Sequence, residues 1–365
     1  MAENRAGQNR PKSGQSTLVD ISKELGVSIA TVSRVINDKP GVGARLREKV
    51  MAVVRKHKYM ARVGARDLIS GKRGTLGVVF QDLTAGWLLT IFRGVLTKCT
   101  LAGYHVVTTL SIREGDETDL PEAVTAGQRV DGFVWLDPRL KHEHIEQVKA
   151  QGIPFVLIEN YSDEAEVSSV SVENTHAACL AAKHLLGLGH KNLLVITGPK
   201  DDPASQQRLA GVQLAMKETG IQLPEDNILC GHYDGLIAVD VLSTYLRSHP
   251  LPAAIFAFND GMALALLHWL RAQGHRVPED VAIMGFDGID DAQKENLTTV
   301  ETPMKEMGIL ATQLLVQMVE NPGEDRQVQH ILLKGKLAVR DTCGAHLTDK
   351  ETSGRMTLDK GSRSQ

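Results

Sequence analysis

The residues of this 365-residue chain whose types and spacing suit chemistry fall into two groups. The first is Ile29, Ala30, Thr31, Ser33 and Arg34, clustered within six positions. An arginine guanidinium can make a bidentate hydrogen bond to a guanine edge, and small apolar side chains touch thymine methyls. Hydroxyls bind phosphates, which position a protein without reading sequence. The second group is Asn259, Asp260 and Asp287, polar residues directly after β-rich runs (Ala254–Ala257 and Val281–Phe286). Loops at the carboxyl ends of parallel strands are where such folds collect ligand contacts. A carboxylate at such a place accepts hydrogen bonds from two adjacent hydroxyls. For Asp260, and for Asp202, helix capping is the competing role.

Bond-making chemistry finds no comparable set. The Gly41-Val42-Gly43 run lacks the third glycine and preceding strand of a dinucleotide fingerprint, and no phosphate-binding P-loop is present. His142, Glu143 and His144 are adjacent and cannot share one helix face as metal ligands. No serine or cysteine sits in a nucleophile-elbow motif. Cys99, Cys179, Cys230 and Cys343 lie far apart, without metal-ligand or redox spacing, and read as scattered thiols of a reducing compartment. The chain is therefore not expected to be an enzyme or to need a cofactor or metal.

The elements that must position these residues are legible from spacing. Thr17 reads as the N-cap of a helix with Asp20 completing a capping box, and Leu18, Ile21 and Leu25 recur at helical intervals. Gly26 ends that helix, since glycine alone takes the left-handed conformation without strain. Val27 fills the turn. Ser28 caps a second helix running to about Asn37, with Val32, Val35 and Ile36 facing inward. Leu46, Val50, Val53, Val54 and His57 mark a third. Three short helices with a tight glycine turn form the plan that lays its second helix in the DNA major groove. Residues 1–73 carry 16 basic and 6 acidic side chains, a net +10, against −13 for the rest. A basic head on an acidic body suggests a polyanionic partner, although charge alone fits a solvated basic tail equally well.

From Gly74 the texture changes to β-rich runs alternating with amphipathic helical stretches: 76–80, 105–109, 132–136, 155–158, 168–172, 193–196, 254–257 and 281–286. This alternation predicts parallel sheets flanked by helices, in two lobes or a barrel. No apolar run is long enough to span a membrane, and residues 1–16 lack a secretory signal, which places the chain in the cytoplasm.

The stretch TLVDISKELGVSIATVSRVINDKPGV closely resembles the N-terminal signature of the lactose-repressor (LacI/GalR) family of bacterial regulators. RDLISGKRGTLGVVFQDL, HLLGLGHKNLLVITGP, QRLAG, FNDGMALA, GFDG and LAVRDTC resemble later family segments, so the likeness covers roughly residues 17–343. It implies an all-α helix-turn-helix headpiece (17–60) after a disordered arm (1–16), then a hinge helix (61–73). A two-lobed α/β sensor with the periplasmic sugar-binding-protein fold (74–343) and a disordered tail (344–365) would follow. One lobe would be 74–161 plus 290–321, the other 162–289 plus 322–343.

By the same resemblance Leu68 matches a hinge leucine that wedges into the minor groove, although Ala61 and Arg62 replace the usual Pro-Asn. The DNA-contacting set becomes Thr17, Ser28, Ile29, Ala30, Thr31, Ser33, Arg34, Asn37 and Leu68. The effector-contacting set becomes Asp82, Trp87, Arg208, Tyr233, Asn259 and Asp287. Trp87 keeps the aromatic of its loop, while Gly86 replaces the family's proline. Asp202 stands where some members carry arginine or serine, which would retune ligand charge preference. The function implied is a nucleoid-associated transcriptional regulator, expected to be a repressor, whose grip on a near-palindromic operator is set by a small molecule. A sugar or sugar acid is the expected effector and a purine the alternative. A periplasmic solute-binding protein, or an α/β enzyme with an accessory head, are the competing classes. Residues 344–365 hold two leucines, too few for a tetramerising heptad, so a homodimer is expected.

Overall fold

The computed structural model describes residues 17–36, 39–57, 74–80, 86–110, 113–114, 117–118, 130–136, 142–159, 166–322 and 327–347. The arm, the hinge segment with Leu68, and Asn37 and Asp82 lie outside them. The chain divides between Arg73 and Gly74 into two compact units.

The first unit is three helices: α1 (Leu18–Leu25), α2 (Ile29–Ile36) and α3 (Ala44–Lys56). The capping box forms: Thr17 N donates to Asp20 Oδ2 at 2.7 Å, and Asp20 N donates to Thr17 Oγ1 at 3.3 Å. Gly26 adopts φ 65°, which turns the chain into α2. Ile21, Val32, Val35 and Val50 make the small core, with Leu18, Leu25, Val27 and Leu46 packed against it. So little buried area needs reinforcement, and Glu24 supplies some by pairing with both Lys56 and His57.

The second unit carries two six-stranded sheets. The first has the order β13-β7-β6-β5-β1-β2. Its strands are β1 (Thr75–Phe80), β2 (His105–Leu110), β5 (Gly132–Leu136), β6 (Phe155–Ile158), β7 (Ser169–Val172) and β13 (His330–Leu333), all paired in parallel. The second has the order β14-β12-β11-β10-β8-β9. It comprises β8 (Leu193–Thr197), β9 (Ile228–Cys230), β10 (Ala254–Ala257), β11 (Ala282–Asp287), β12 (Thr298–Glu301) and the antiparallel β14 (Lys336–Ala338). A two-stranded ribbon, β3 (Arg113–Glu114) with β4 (Glu117–Thr118), stands apart from both. The central strands are buried along their whole length, as expected of parallel sheets covered on both faces.

Helices α4 (Gly86–Ala102), α5 (His142–Ala150) and α11 (Met304–Glu320) belong to the first lobe. The second lobe holds α6 (Asn174–Gly187), α7 (Pro203–Glu218), α8 (Gly235–Tyr245), α9 (Asp260–Ala272) and α10 (Asp290–Lys294). Helices α4 and α11 touch backbone to backbone through Gly94 and Gly308: a Cβ on Gly94 would lie 2.1 Å from Lys305 O, and one on Gly308 2.1 Å from Ile91 O.

Strand pairing moves the lobe boundaries. Ser169 pairs with Leu157, so β7 stays in the first lobe and the chain first crosses after Val172, not near 161. Thr298 pairs with Met284, so β12 belongs to the second lobe and the return follows Glu301, not residue 289. His330 pairs with Ser169, which delays the third crossover from about 321 to after Leu333. Pairing between strands far apart in the chain decides which sheet each joins, so β7, legible at 168–172, and the short β12 and β13 fall on the other side of boundaries drawn from sequence order. The folded chain also continues past 343: Ala345 packs on the second-lobe core and Leu347 N donates to Gly344 O at 3.0 Å. Among the described residues no helix is long and apolar enough to cross a membrane.

Candidate ligand cavity and nucleic-acid-reading helix

Helix α2 turns Val32 and Val35 into the core and leaves Ser28, Ile29, Ala30 and Arg34 exposed, with Thr31 and Ser33 half-buried. Ser28 Oγ accepts from Thr31 N at 3.1 Å, and the two hydroxyls share a 2.8 Å bond. The hydroxyls of Thr17, Ser28 and Thr31 thus already serve capping. Ile29, at 46% exposure, is a large apolar side chain held in solvent at the leading end of the helix. Such a residue has no folding role at that place and suits contact with a base edge.

In the second unit a cavity of about 100 Å³ lies between the lobes. Trp87, Ile91, Glu159, Val172, Met304 and Met307 line it from the first lobe, and Asp202, Ala204, Arg208, Tyr233, Asn259 and Asp287 from the second. The structure therefore brings Trp87, Arg208, Tyr233, Asn259 and Asp287 together. Asp287 ends β11 at φ 119° and Tyr233 sits at φ 61°, both unusual for residues with side chains and both at the cavity wall. The Tyr233 ring lies over Gly198, where a Cβ would stand 2.2 Å from it.

Arg208 is buried at the centre. Its Nε donates to Asn174 Oδ1 at 2.8 Å and its Nη1 to Phe258 O. The guanidinium stands 3.8 Å from the centroid of the Phe286 ring, and Nη1 is 3.9 Å from Asp287 Oδ1. Asn259 is occupied structurally: its Oδ1 accepts from Met262 N at 2.8 Å, capping α9, and its Nδ2 donates to Tyr233 O at 3.1 Å. It holds Tyr233 in place as well as facing the cavity.

Two cavity carboxylates escape the sequence-derived effector set. Glu159 follows β6 at φ 57°, and its carboxylate accepts from Val172 N at 3.0 Å and Asn174 Nδ2 at 3.5 Å. The strand-end rule that picks out Asp287 applies to it equally. Asp202 does cap α7, accepting from Ser205 N at 3.0 Å. The same oxygen accepts from Tyr233 Oη at 2.5 Å, while the buried Oδ1 has no hydrogen-bond partner. Asp260, by contrast, does not reach the cavity. It accepts from Gly288 N at 2.7 Å and Ile289 N at 2.9 Å and so anchors the turn that follows Asp287.

Burial dominates the electrostatics. It pushes the carboxyls of Glu159 and Asp287 up, against the opposing pull of Arg208. It raises the Tyr233 phenol in the same way, again against Arg208. Three carboxylates face one guanidinium, and the wall opposite offers Trp87, Ile91 and two methionines. Such a site can hold a compact ligand with an apolar face and several hydrogen-bond donors.

Comparison with known proteins places both units. Residues 17–61 match the model for bacterial regulatory proteins of the lacI family, and residues 182–343 match that for the periplasmic binding protein-like domain. The chain is 30% identical over 332 residues to the HTH-type transcriptional repressor PurR of Vibrio vulnificus (strain CMCP6), covering 90% of this chain and 98% of that protein. Among solved structures it is similar to the lac repressor dimer bound to operator and the anti-inducer ONPF (TM-score 0.79, 26% identity, 90% and 99% coverage). It is also similar to the complex of the transcriptional regulator CelR with cellobiose (TM-score 0.67, 28% identity, 90% and 100% coverage).

Proposed function

Because the chain belongs to the LacI family of bacterial regulators, which are not enzymes, we propose that it binds a near-palindromic operator as a homodimer and that a sugar in the interlobe cavity sets its grip. The observation that carries this reading is the division of the cavity wall. Both lobes supply side chains, so a ligand there bonds differently to each arrangement of the lobes and can shift their equilibrium. A neutral sugar suits the wall better than a sugar acid, whose carboxylate would join three others around a single arginine. The cavity is smaller than the roughly 300–1,000 Å³ of drug-sized pockets, which favours a single ring. A nucleobase is the second reading, supported by the two aromatic side chains Trp87 and Tyr233.

Dimerisation is supported by apolar side chains of the first lobe left in solvent: Leu89 and Leu96, seven residues apart on one face of α4, and Val107 on the edge strand β2. Exposed apolar patches of this kind mark protein contacts. The lac repressor structure to which the chain is similar is a dimer on operator. Arg34, Ile29 and Ala30 would read bases, with Ser33 and Asn37 on phosphates and Leu68 wedged at the operator centre.

The test is to select duplexes from random DNA with the full chain, then measure affinity for the winning site with and without saturating monosaccharides and nucleobases. Two-fold symmetric winners whose affinity moves with one ligand class are the expected result. Winners without dyad symmetry, or an affinity that no ligand moves, overturn it.

A further inference from the structure

The cavity holds more acceptors than its own donors satisfy. Asp202 is 2% exposed, and its Oδ1 has no partner. The Asp287 carboxylate makes no hydrogen bond among the described residues and faces only the 3.9 Å ion pair with Arg208. The Glu159 oxygens each take one bond and have lone pairs to spare. On the donor side, Arg208 has committed Nε and Nη1 to Asn174 and Phe258, and Tyr233 has committed its hydroxyl to Asp202. Native structures seldom leave a buried carboxylate oxygen unbonded, and one on a residue that lines a cavity asks for a donor from a ligand.

Charge sharpens the demand. A neutral polyol would satisfy hydrogen bonds yet leave three carboxyls around one guanidinium, two of them pushed toward the neutral form by burial, in a site shielded from water where charges interact more strongly than in solution. An ammonium group would supply three donors and the missing positive charge together. We infer that the effector is a compact hydroxylated amine, of the amino-sugar class, whose ammonium is held by Asp202 and Asp287. This rests on reading the interlobe cavity as the effector site. The apolar face of the ring lies on Trp87 and Met304, and its hydroxyls reach Glu159 and Arg208. Uronic acids and sugar phosphates are rejected, because each adds a negative charge to a wall already rich in them.

The experiment is calorimetric titration of the full chain at pH 7 with matched triplets: glucose, galactose and mannose, each as the parent sugar, the 2-amino-2-deoxy sugar and the uronate. The expected result is that in at least one triplet the amine binds ten-fold or more tighter than its parent, with no detectable heat from the uronate. Asp202→Asn keeps the α7 cap, since asparagine caps as well as aspartate. It should cut amine binding ten-fold or more and reduce the amine's preference over its parent sugar to less than three-fold, with circular dichroism and melting temperature confirming the fold. A parent sugar that binds as tightly as its amine overturns the inference, as does a uronate that binds, or a panel in which nothing binds. Operator affinity measured on the same samples separates the two readings. A neutral sugar that binds and shifts it sinks the amine while leaving the regulator intact.

Discussion

Asp260 offers the sharpest physical test of the second lobe. It is the first residue of α9 and wholly buried. Besides the amides of Gly288 and Ile289 it accepts the Thr299 hydroxyl at 2.6 Å, so three donors converge on one carboxylate. Burial nevertheless outweighs those bonds and lifts its carboxyl from 3.8 to about 6. At 1.36 kcal/mol per unit, that shift makes the ionised group cost about 3 kcal/mol of stability at pH 7. The folded-state value lies above the unfolded one, so between about pH 4 and 6 the folded chain binds the proton that the unfolded chain has lost. This contribution to stability therefore falls as pH rises through that window and is level above it. In Asp260→Asn the amide oxygen still accepts from Gly288 and Ile289, its NH2 can donate to Thr299 Oγ1, and the charge is gone. The variant should be more stable than the parent by up to about 3 kcal/mol at pH 7, with the difference closing toward pH 4. Urea unfolding of both chains at equal concentration from pH 4.5 to 8 gives the difference curve. A difference independent of pH, or a variant weaker at pH 7 than at pH 5, refutes the reasoning. Asp260→Ala strands all three donors and should be destabilised at every pH, by roughly 1–3 kcal/mol for each.

Other consequences can be checked as directly. Arg34→Ala should cost about 1–3 kcal/mol at one base position of the selected operator, seen as relaxed preference there alone; a uniform loss across sequences would make Arg34 a phosphate contact. Leu68→Ala should weaken operator binding well beyond non-specific binding in a fluorescence titration, and equal losses on both would end the wedge assignment. Gly94→Ala drives a methyl into the Lys305 carbonyl and should lower stability by about 1–3 kcal/mol or more, whereas Gly187→Ala, with open space around it, should gain up to about 1 kcal/mol in the same melt.

The headpiece was readable because its signals are local: a capping box, a glycine stop and apolar residues at helical spacing lie within twenty positions. Six of the eight strands that were readable, β1, β5, β6, β8, β10 and β11, are near-continuous apolar runs, as parallel strands buried on both faces become. The strands that escaped are the two-residue β3 and β4 and four of three or four residues: β9, β13 and β14 at a sheet edge and β12 beside one. The polar Thr298 and Thr299 of β12 are nonetheless fully buried, because Thr342 and Asp260 bond to them from distant sequence. Partners about 40 residues apart leave no periodicity to find. The same holds at the cavity. Asp287 and Asn259 announce themselves as strand-end polar residues, but nothing local shows that Tyr233, 31 residues on, bonds to the capping oxygen of Asp202 and that the other oxygen is left unbonded.

The chemistry of the two cavity walls bears on how a ligand could act at a distance. The first lobe contributes mainly apolar surface, Trp87, Ile91, Val172, Met304 and Met307, with Glu159 as its single charge. The second contributes nearly all the polar groups, with Arg208 at their centre. A ligand bonded only to Asp202, Tyr233 and Asp287 would bind equally well however the lobes were set, and equal affinity for two states shifts neither. Action as an effector requires an apolar face as well, because the contact with Trp87 and the methionines is gained or lost as the walls approach or part. The coupling is then the free energy of that apolar contact, together with the bond to Glu159. By linkage, operator DNA must change the affinity of such a ligand by the same factor by which the ligand changes that of the DNA. A ligand trimmed of its apolar face should still bind and should cease to regulate.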